Sequence, residues 1–368
     1  MTRPLLVPHI AVLPPLVPFV GPEAIERQRG RPFRARLGAN ESSFGASPEA
    51  TAAMRAAAGG NWKYADPENH DLRHAIAAFH GVAASNIMIG EGIDGLLGLT
   101  CMMYVAPGTH VVSTDGAYPT FNFHVLAHGG RLTLLPMCDD HEDLSALVDT
   151  ARHEAAKIIY VSNPNSPMGT WWTGAEIANV IAALPGTTLL VLDEAYADTA
   201  PAGTAPPIDV SNPHVIRYRT FSKAYGLAGA RIGYAIAAAD VIATFDKVRN
   251  HYGINRIGQV GALAALQDQA YLGEAVRKIA QARDRISSAA RDSGLTPIAS
   301  AASFVAIDCG GGGTFAARVL DELMARDVFV RKPSAARLDR CIRVSCGRDA
   351  DLDVFIEELP RALLAARA

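Results

Sequence analysis

The sequence predicts an α/β protein with a large domain built on a mostly parallel sheet and a smaller α+β domain beside it. Three observations carry this. The runs Lys157–Ser162 and Thr187–Leu192 are apolar on successive residues rather than on alternate ones, the pattern of strands covered on both faces. Helical patterns lie between such runs. From about Leu295 the pattern changes: Ser303–Asp308 alternates, a helical stretch follows, and two more short strands come before a closing helix.

In chain order, Met1–Val20 is apolar but broken by Pro4, Pro8, Pro14, Pro15 and Pro18, which leaves no continuous signal-peptide core and reads as an arm. A short helix is expected from Pro22 to Arg29. Ser47-Pro48-Glu49 offers an N-cap, a proline at the first helical position and an acid in the first turn, so a helix runs from there to about Ala58. An amphipathic helix from Asp71 to Phe79 follows. Asn86–Leu97 reads as strand, glycine-rich turn and helix. Strands are expected at Val111–Thr114, Arg131–Pro136, Val215–Arg219 and Arg231–Ile236, and helices at Leu144–Glu154 and from Asp240 to Phe245. Long helical patterns cover Asn255–Asp268 and Gly273–Ala290. In the last third, Thr314–Arg326 is helical, Val328–Arg331 and Cys341–Ser345 are strands, and Asp351–Ala366 closes the chain. The expected division is an arm over 1–36 belonging to the small domain, a large domain over 37–250 and the rest of the small domain over 251–368.

The 368 residues suffice for about two domains with a large core, and a composition of 49% hydrophobic and 19% charged residues is that of an ordinary globular chain. A formal net charge of −3 with no dense Lys/Arg stripe gives nucleic-acid binding little support. The five cysteines, at 101, 138, 309, 341 and 346, are odd in number and form no C-x-x-C pair. Neither a disulfide framework nor a metal site is suggested, and buried, reduced thiols in a cytoplasmic protein are expected. No apolar run is long enough for a membrane helix.

The chemistry concentrates in Tyr218–Tyr234 (YRTFSKAYGLAGARIGY). Burial disfavours an ammonium, and a neutral lysine amine is the nucleophile for a Schiff base with an aldehyde cofactor; Lys223 is the candidate. The hydroxyls of Thr220 and Ser222 and the guanidinium of Arg231 suit a phosphate. Gly92, Ile93 and Asp94 open a helix, whose free N–H groups and positive dipole end suit the same group. Asp193, at the carboxyl end of a buried strand, lies where open α/β sheets place ligands.

This constellation resembles the pyridoxal-phosphate (PLP) aminotransferases of fold type I, classes I and II, and within them the histidinol-phosphate aminotransferase branch, from about Leu37 to Gly347. The resemblance rests on S-K-x-x-G-L-x-G-x-R-x-G-Y at Ser222–Tyr234, on Tyr64-Ala65-Asp66-Pro67, on Asn163-Pro164-Asn165-Ser166-Pro167-Met168-Gly169 against N-P-N-N-P-T-G, on Asp193-Glu194-Ala195-Tyr196, and on Cys341–Gly347 against L-R-I-S-V-G. It implies a seven-stranded sheet, PLP as cofactor and a homodimer with the site at its interface. Lys223 would form the internal aldimine and act as general base. Asp193 would keep the pyridine nitrogen protonated, and Asn163 and Tyr196 would donate to the 3-oxygen. Gly92, Ile93 and Asp94 would hold the phosphate with Thr220, Ser222 and Arg231. Phe121 would stack on the ring, and Tyr64 would reach the phosphate of the neighbouring subunit. Arg343 would clamp the substrate carboxylate and Arg331 a distal anion. Asn40 reads equally as a turn residue and as a group touching substrate.

The expected reaction is ping-pong transfer of an amino group between an amino acid or amino-alcohol phosphate and a 2-oxo acid. The branch usually carries Pro-Tyr near its start, where the tyrosine hydroxyl grips the distal phosphate, and Pro18-Phe19 stands here instead. Phenylalanine cannot donate that bond, so a substrate other than histidinol phosphate is expected. Decarboxylation of an amino-acid phosphate on the same fold is the nearest alternative, and a non-catalytic PLP-binding sensor the most remote.

Overall fold

Parallel strands need long return connections, and here helices supply them over both faces of one sheet. The computed structural model describes residues 4–15 and 20–368; Phe19, expected at the substrate, lies outside them. The central sheet holds β2 (Ile87–Gly90), β3 (His110–Thr114), β4 (Arg131–Leu135), β5 (Ile158–Ser162), β6 (Leu189–Asp193), β7 (Val215–Thr220) and β8 (Gly233–Ile236), after a short β1 (Ala35–Arg36) outside it. Its seven strands run in the order β2-β8-β7-β6-β5-β3-β4. Only β8 is antiparallel to its neighbours, β2 and β7. Every residue of β5 and β6 is buried, which is why their sequences do not alternate. The register sets Ser162 opposite Asp193 and Asp193 opposite Tyr218, so the carboxyl ends of β5, β6 and β7 lie side by side.

The helix starts follow their local chemistry. Ser47 Oγ accepts the Ala50 N–H at 3.0 Å ahead of the helix Pro48–Ala57. Thr173 and Glu176 form a capping box on Gly174–Ala183. That helix and Pro119–Ala127 add to those read from the sequence.

The small domain pairs β10 (Phe304–Asp308) with β9 (Thr296–Pro297) and β12 (Cys341–Ser345), all antiparallel. β1 runs parallel to β11 (Val328–Phe329), which ties the segment before the large domain to the last third of the chain. Arg29 and Arg31 both pair with Asp327 at the same seam. The domain change does not fall at 250. The helix Arg256–Gln267 carries Ala262 and Ala265 into the large-domain cluster of Ile76, Ile89 and Phe221. Its small residues permit that approach: an ideal Cβ on Gly261 would come within 2.6 Å of Met54 Cγ. The 24-residue helix Gln269–Asp292 then crosses over, placing Ile279, Ala282 and Ile286 with Val305, Ile342 and Phe355. Four cysteines are buried, but Cys138 is exposed, in a surface turn bridged to His141. Among the described residues no helix is long and apolar enough to cross a membrane, and no cluster of three His, Cys, Asp or Glu is placed to hold a metal.

The segment that crosses between the domains packs against the lysine turn at Gly226. Its φ is +71°, and an ideal Cβ there would lie 2.1 Å from Gly45 O, a backbone atom that cannot swing aside. Both the left-handed backbone and the contact therefore require glycine. Gly226→Ala is expected to lower unfolding free energy by about 3 kcal/mol. Gly229→Ala, with open space around it, should change it by less than about 0.5 kcal/mol. Denaturant titration of both variants checks this, and equal effects would contradict it.

Candidate active site

The carboxyl ends of β5, β6 and β7 open into a cavity of about 410 Å³ between the domains. A larger groove of about 730 Å³ runs between the helices Leu144–His153 and Gly174–Ala183, and none of the residues expected at the active site lines it. The smaller cavity is lined by Ile93, Asp94, Asp193, Tyr196, Thr220, Ser222, Lys223 and Arg231 from the large domain, and by Arg331 and Arg343 from the small one. Asn40 lines it from the crossing segment.

Lys223 follows β7 in a turn closed by Gly226 N–H to Lys223 O, at 2.9 Å. Its Nζ donates to Asn40 O at 3.5 Å and stands 5.4 Å from the centre of the Tyr196 ring. Asp193 ends β6. Its Oδ2 accepts the Tyr160 hydroxyl at 2.7 Å and its Oδ1 the Ala195 N–H at 3.0 Å. Burial outweighs these bonds and pushes the acid up to about 6. The Tyr160 phenol itself rises well above its ordinary value through burial and the Asp193 charge.

The helix Gly92–Tyr104 begins just after β2, its first N–H groups have no partner within the helix, and its residues Ile93 and Asp94 line the cavity. Arg231, with φ +57°, brings its guanidinium over Gly92. An ideal Cβ on Gly92 would lie 2.5 Å from Arg231 Nη2, so glycine leaves the space the cation enters. The Asp94 carboxylate faces His124, 3.5 Å away. The Thr220 hydroxyl is committed to the turn: it accepts the Ser222 N–H and donates to Ile232 O. Ser222 Oγ is thus the turn hydroxyl left for a ligand.

Two residues expected at the cofactor, Phe121 and Asn163, do not line the cavity. Phe121 is fully buried and stacks on Tyr160, with centroids 4.4 Å apart and planes at 16°. It sits one turn into the helix Pro119–Ala127 and points to the sheet, so Tyr118, at the head of that helix, walls the cavity instead. Asn163 also turns away. Its Nδ2 donates to Trp172 O and Thr204 O, and its Oδ1 accepts the Trp172 N–H. Asn165 is spent on Glu142 Oε1, at 3.0 Å. The polar residue this loop presents is Ser166, at the fourth position of the motif, where N-P-N-N-P-T-G has asparagine. Tyr64 is 76% exposed, packs its ring on Tyr252 at 4.6 Å, and does not line its own cavity.

On the small-domain side, Arg343 sits over the Phe304 ring at 5.2 Å and its Nε is buried without a partner. Burial holds both Arg343 and Arg331 below their ordinary values. The two arginines face each other across an antiparallel bridge. Sequence reasoning missed Tyr118, Tyr160, Ser166 and Ser345. Ser345 had a signal, standing two residues after Arg343 on one strand and hence on the same face.

Residues 35–359 match the model of the family "Aminotransferase class I and II". The chain belongs to the class I and II aminotransferases. Among similar proteins, the histidinol-phosphate aminotransferase of Moorella thermoacetica is 32% identical over 97% of this chain and 92% of its own. That of Anaeromyxobacter sp. is 33% identical over 98% and 99%. The crystal structure of histidinol-phosphate aminotransferase from Sinorhizobium meliloti with pyridoxal-5'-phosphate superposes with a TM-score of 0.96, at 51% identity over 99% of this chain and 98% of that one. Aspartate aminotransferase of Thermus thermophilus with maleate, at 22% identity and a TM-score of 0.81 over 98% and 100%, shares the fold.

The enzyme is therefore a PLP-dependent transaminase of fold type I, and its cavity fits that cofactor. An anion cradle stands at one end, the Lys223 amine in the middle, and a buried acid opposite that gains from a cation. Asp193 also supplies a pH test. Its folded pKa of about 6 lies above the unfolded 3.8, so below pH 4 both states keep the proton and no penalty arises. As pH rises through 6 the buried carboxyl must ionise, and stability falls by an amount on the order of 3 kcal/mol. In protein stripped of PLP, Asp193→Asn is expected to gain on the wild type from pH 4 to pH 7. A stability difference that stays flat over that range, measured by denaturant titration, would refute it.

Proposed function

We propose that the enzyme moves an amino group from an amino-alcohol phosphate, histidinol phosphate in the first place, to a dicarboxylic 2-oxo acid. The observation that carries this is the pair Arg331 and Arg343, two cations on one wall of the cavity that holds Lys223. An anionic group on each substrate answers that charge. The name borne by relatives at 32%, 33% and 51% identity supports histidinol phosphate as donor, against the expectation drawn from Phe19.

Bound PLP supplies an electron sink for the substrate's Cα. The protein's part is to hold and to move protons. Ser222 Oγ, Arg231 and the N–H groups at Ile93 and Asp94 would grip its phosphate, and Tyr118 would wall its ring. Asp193 would keep a proton on the ring nitrogen. Lys223 would anchor the cofactor and, as a free amine, would take the proton from the substrate's Cα. Arg343 fixes the carboxylate of the oxo acid, and Arg331 meets the distal anion. Lys223→Ala is expected to cut transamination by ~10³-fold or more while the fold remains; normal turnover would sink the assignment. Adding single amines to purified holoenzyme and following the cofactor absorbance names the donor. Histidinol phosphate is expected to convert it at the highest kcat/KM. Conversion only by free amino acids would overturn the proposed donor, and CO2 release without an oxo acid would indicate the decarboxylase.

The same reading makes the enzyme a cytoplasmic homodimer. Tyr64 and Tyr252, exposed at 76% and 54%, form an aromatic surface suited to a second copy. Light scattering is expected to give twice the 38.9 kDa chain mass, and a single-chain mass at micromolar concentration would contradict it.

A further inference from the structure

Three side chains far apart in sequence meet beside Lys223. Asn40 Nδ2 donates to the Tyr196 hydroxyl oxygen at 3.0 Å. Ser345 Oγ donates to Asn40 Oδ1 at 2.8 Å and accepts the Asn40 N–H at 3.0 Å. All three residues are buried. Asn40 has φ +57°, a conformation asparagine tolerates, and this turns its amide between the domains.

The proton count decides what this does. A serine hydroxyl has one proton and so does a phenol. The Ser345 oxygen accepts the Asn40 N–H on one lone pair, and Asn40 Oδ1, 2.8 Å away, is the acceptor within reach of its own proton. That fixes the amide: Oδ1 faces Ser345, and Nδ2 must face Tyr196. The Tyr196 oxygen then accepts, and its proton cannot point back at Asn40. If the amide were reversed, the serine proton would have no acceptor there and the phenol would donate to Oδ1, away from the cavity.

We propose that Ser345 and Asn40 are positioning residues that hold the Tyr196 hydroxyl with its proton directed into the active-site cavity. This rests on the reading that the cavity binds PLP, whose 3-oxygen is the acceptor the proton would meet. The relay also joins the two domains, because Ser345 stands on β12, the strand that carries Arg343, and Tyr196 stands just after β6.

The test is a pH titration of the visible absorbance of bound PLP. Asn40→Gly suits φ +57° and keeps the backbone contacts to Ser345 and Lys223. The substitutions add no charge next to Lys223 and Arg343, the cations beside Tyr196. A directed proton stabilises an anionic oxygen, so its loss raises the midpoint. Asn40→Gly is expected to raise it by about one unit, a tenfold change in the equilibrium. Ser345→Ala is expected to move it the same way by less, and Ser345→Thr, which keeps the hydroxyl, to restore it. In a Tyr196→Phe background the Asn40→Gly and Ser345→Ala shifts are expected to vanish, which a merely structural role would not produce. Bound PLP with an unmoved midpoint, or shifts that persist in that background, overturns the relay alone. A wild-type protein that binds no PLP overturns the site reading and the relay with it.

Discussion

The structure depends on where one carboxylate is buried. β6 ends in Asp193 and Glu194 follows it, and alternation sends the two acids to opposite sides of the sheet. Both are buried, and their fates differ. Burial pushes Glu194 up, but Arg219 and Arg217 outweigh it and hold it below its ordinary value, with Arg217 donating from both Nε and Nη2. Asp193 receives no arginine. It has a phenol, one backbone N–H and Lys223 at a distance, and its charge remains unbalanced. The sheet thus neutralises one acid internally and leaves the other for a cation from outside. Parallel strands in register make this possible, because they bring Ser162, Asp193 and Tyr218 to one edge with helices closing both faces.

The second constraint is the crossing of the chain between β1 and the helix Pro48–Ala57. This short segment touches everything that must stay in place. Asn40 O receives Lys223 Nζ, and the Asn40 amide joins Tyr196 to Ser345. Gly45 lies against the lysine turn at Gly226, and the Tyr271 hydroxyl donates to Phe44 O and Gly45 O. Lys223 is therefore framed by both domains, and a shift of either changes its surroundings. Buried polar groups of this kind specify one arrangement, because each unmade bond there would leave a desolvated donor or acceptor.

What the sequence disclosed follows from the range of each interaction. Lys223, Ser222 and Arg231 lie within one continuous motif, and Asp193 at a strand end, so local pattern was enough to find them. The fold class was legible for the same reason, since β5 and β6 announce two-sided burial in five or six residues. Phe121 and Tyr118 were exchanged because both are aromatic and stand three residues apart, and only the helix that begins at Pro119 settles which faces the cavity. Asn163 was misassigned because a turn with two asparagines and a serine does not reveal which side chain points outward; that depended on Trp172 and Thr204, many residues away. The Asn40 junction spans separations of 156 and 305 residues and leaves no local trace.

The two walls of the cavity carry different charge, and this bears on how substrate and domain position are linked. Asp193 and Lys223 belong to the large-domain sheet, while Arg331 and Arg343 belong to the small domain. Arg331 and Arg343 share an antiparallel bridge, and burial together with that like-charged neighbour depresses Arg343. Two partly desolvated guanidiniums side by side are an unfavourable arrangement until an anion joins them. A substrate whose amine is held at Lys223 and whose anion lies between the arginines would bridge the domains. Its binding would stabilise the arrangement in which β12 presents Arg343 to the cavity while Ser345, on the same strand, holds Asn40. The strand that carries Arg343 also anchors, through Ser345 and Asn40, the hydroxyl of Tyr196, so an anion bound at Arg343 and the Tyr196 hydroxyl would be positioned by one structural element.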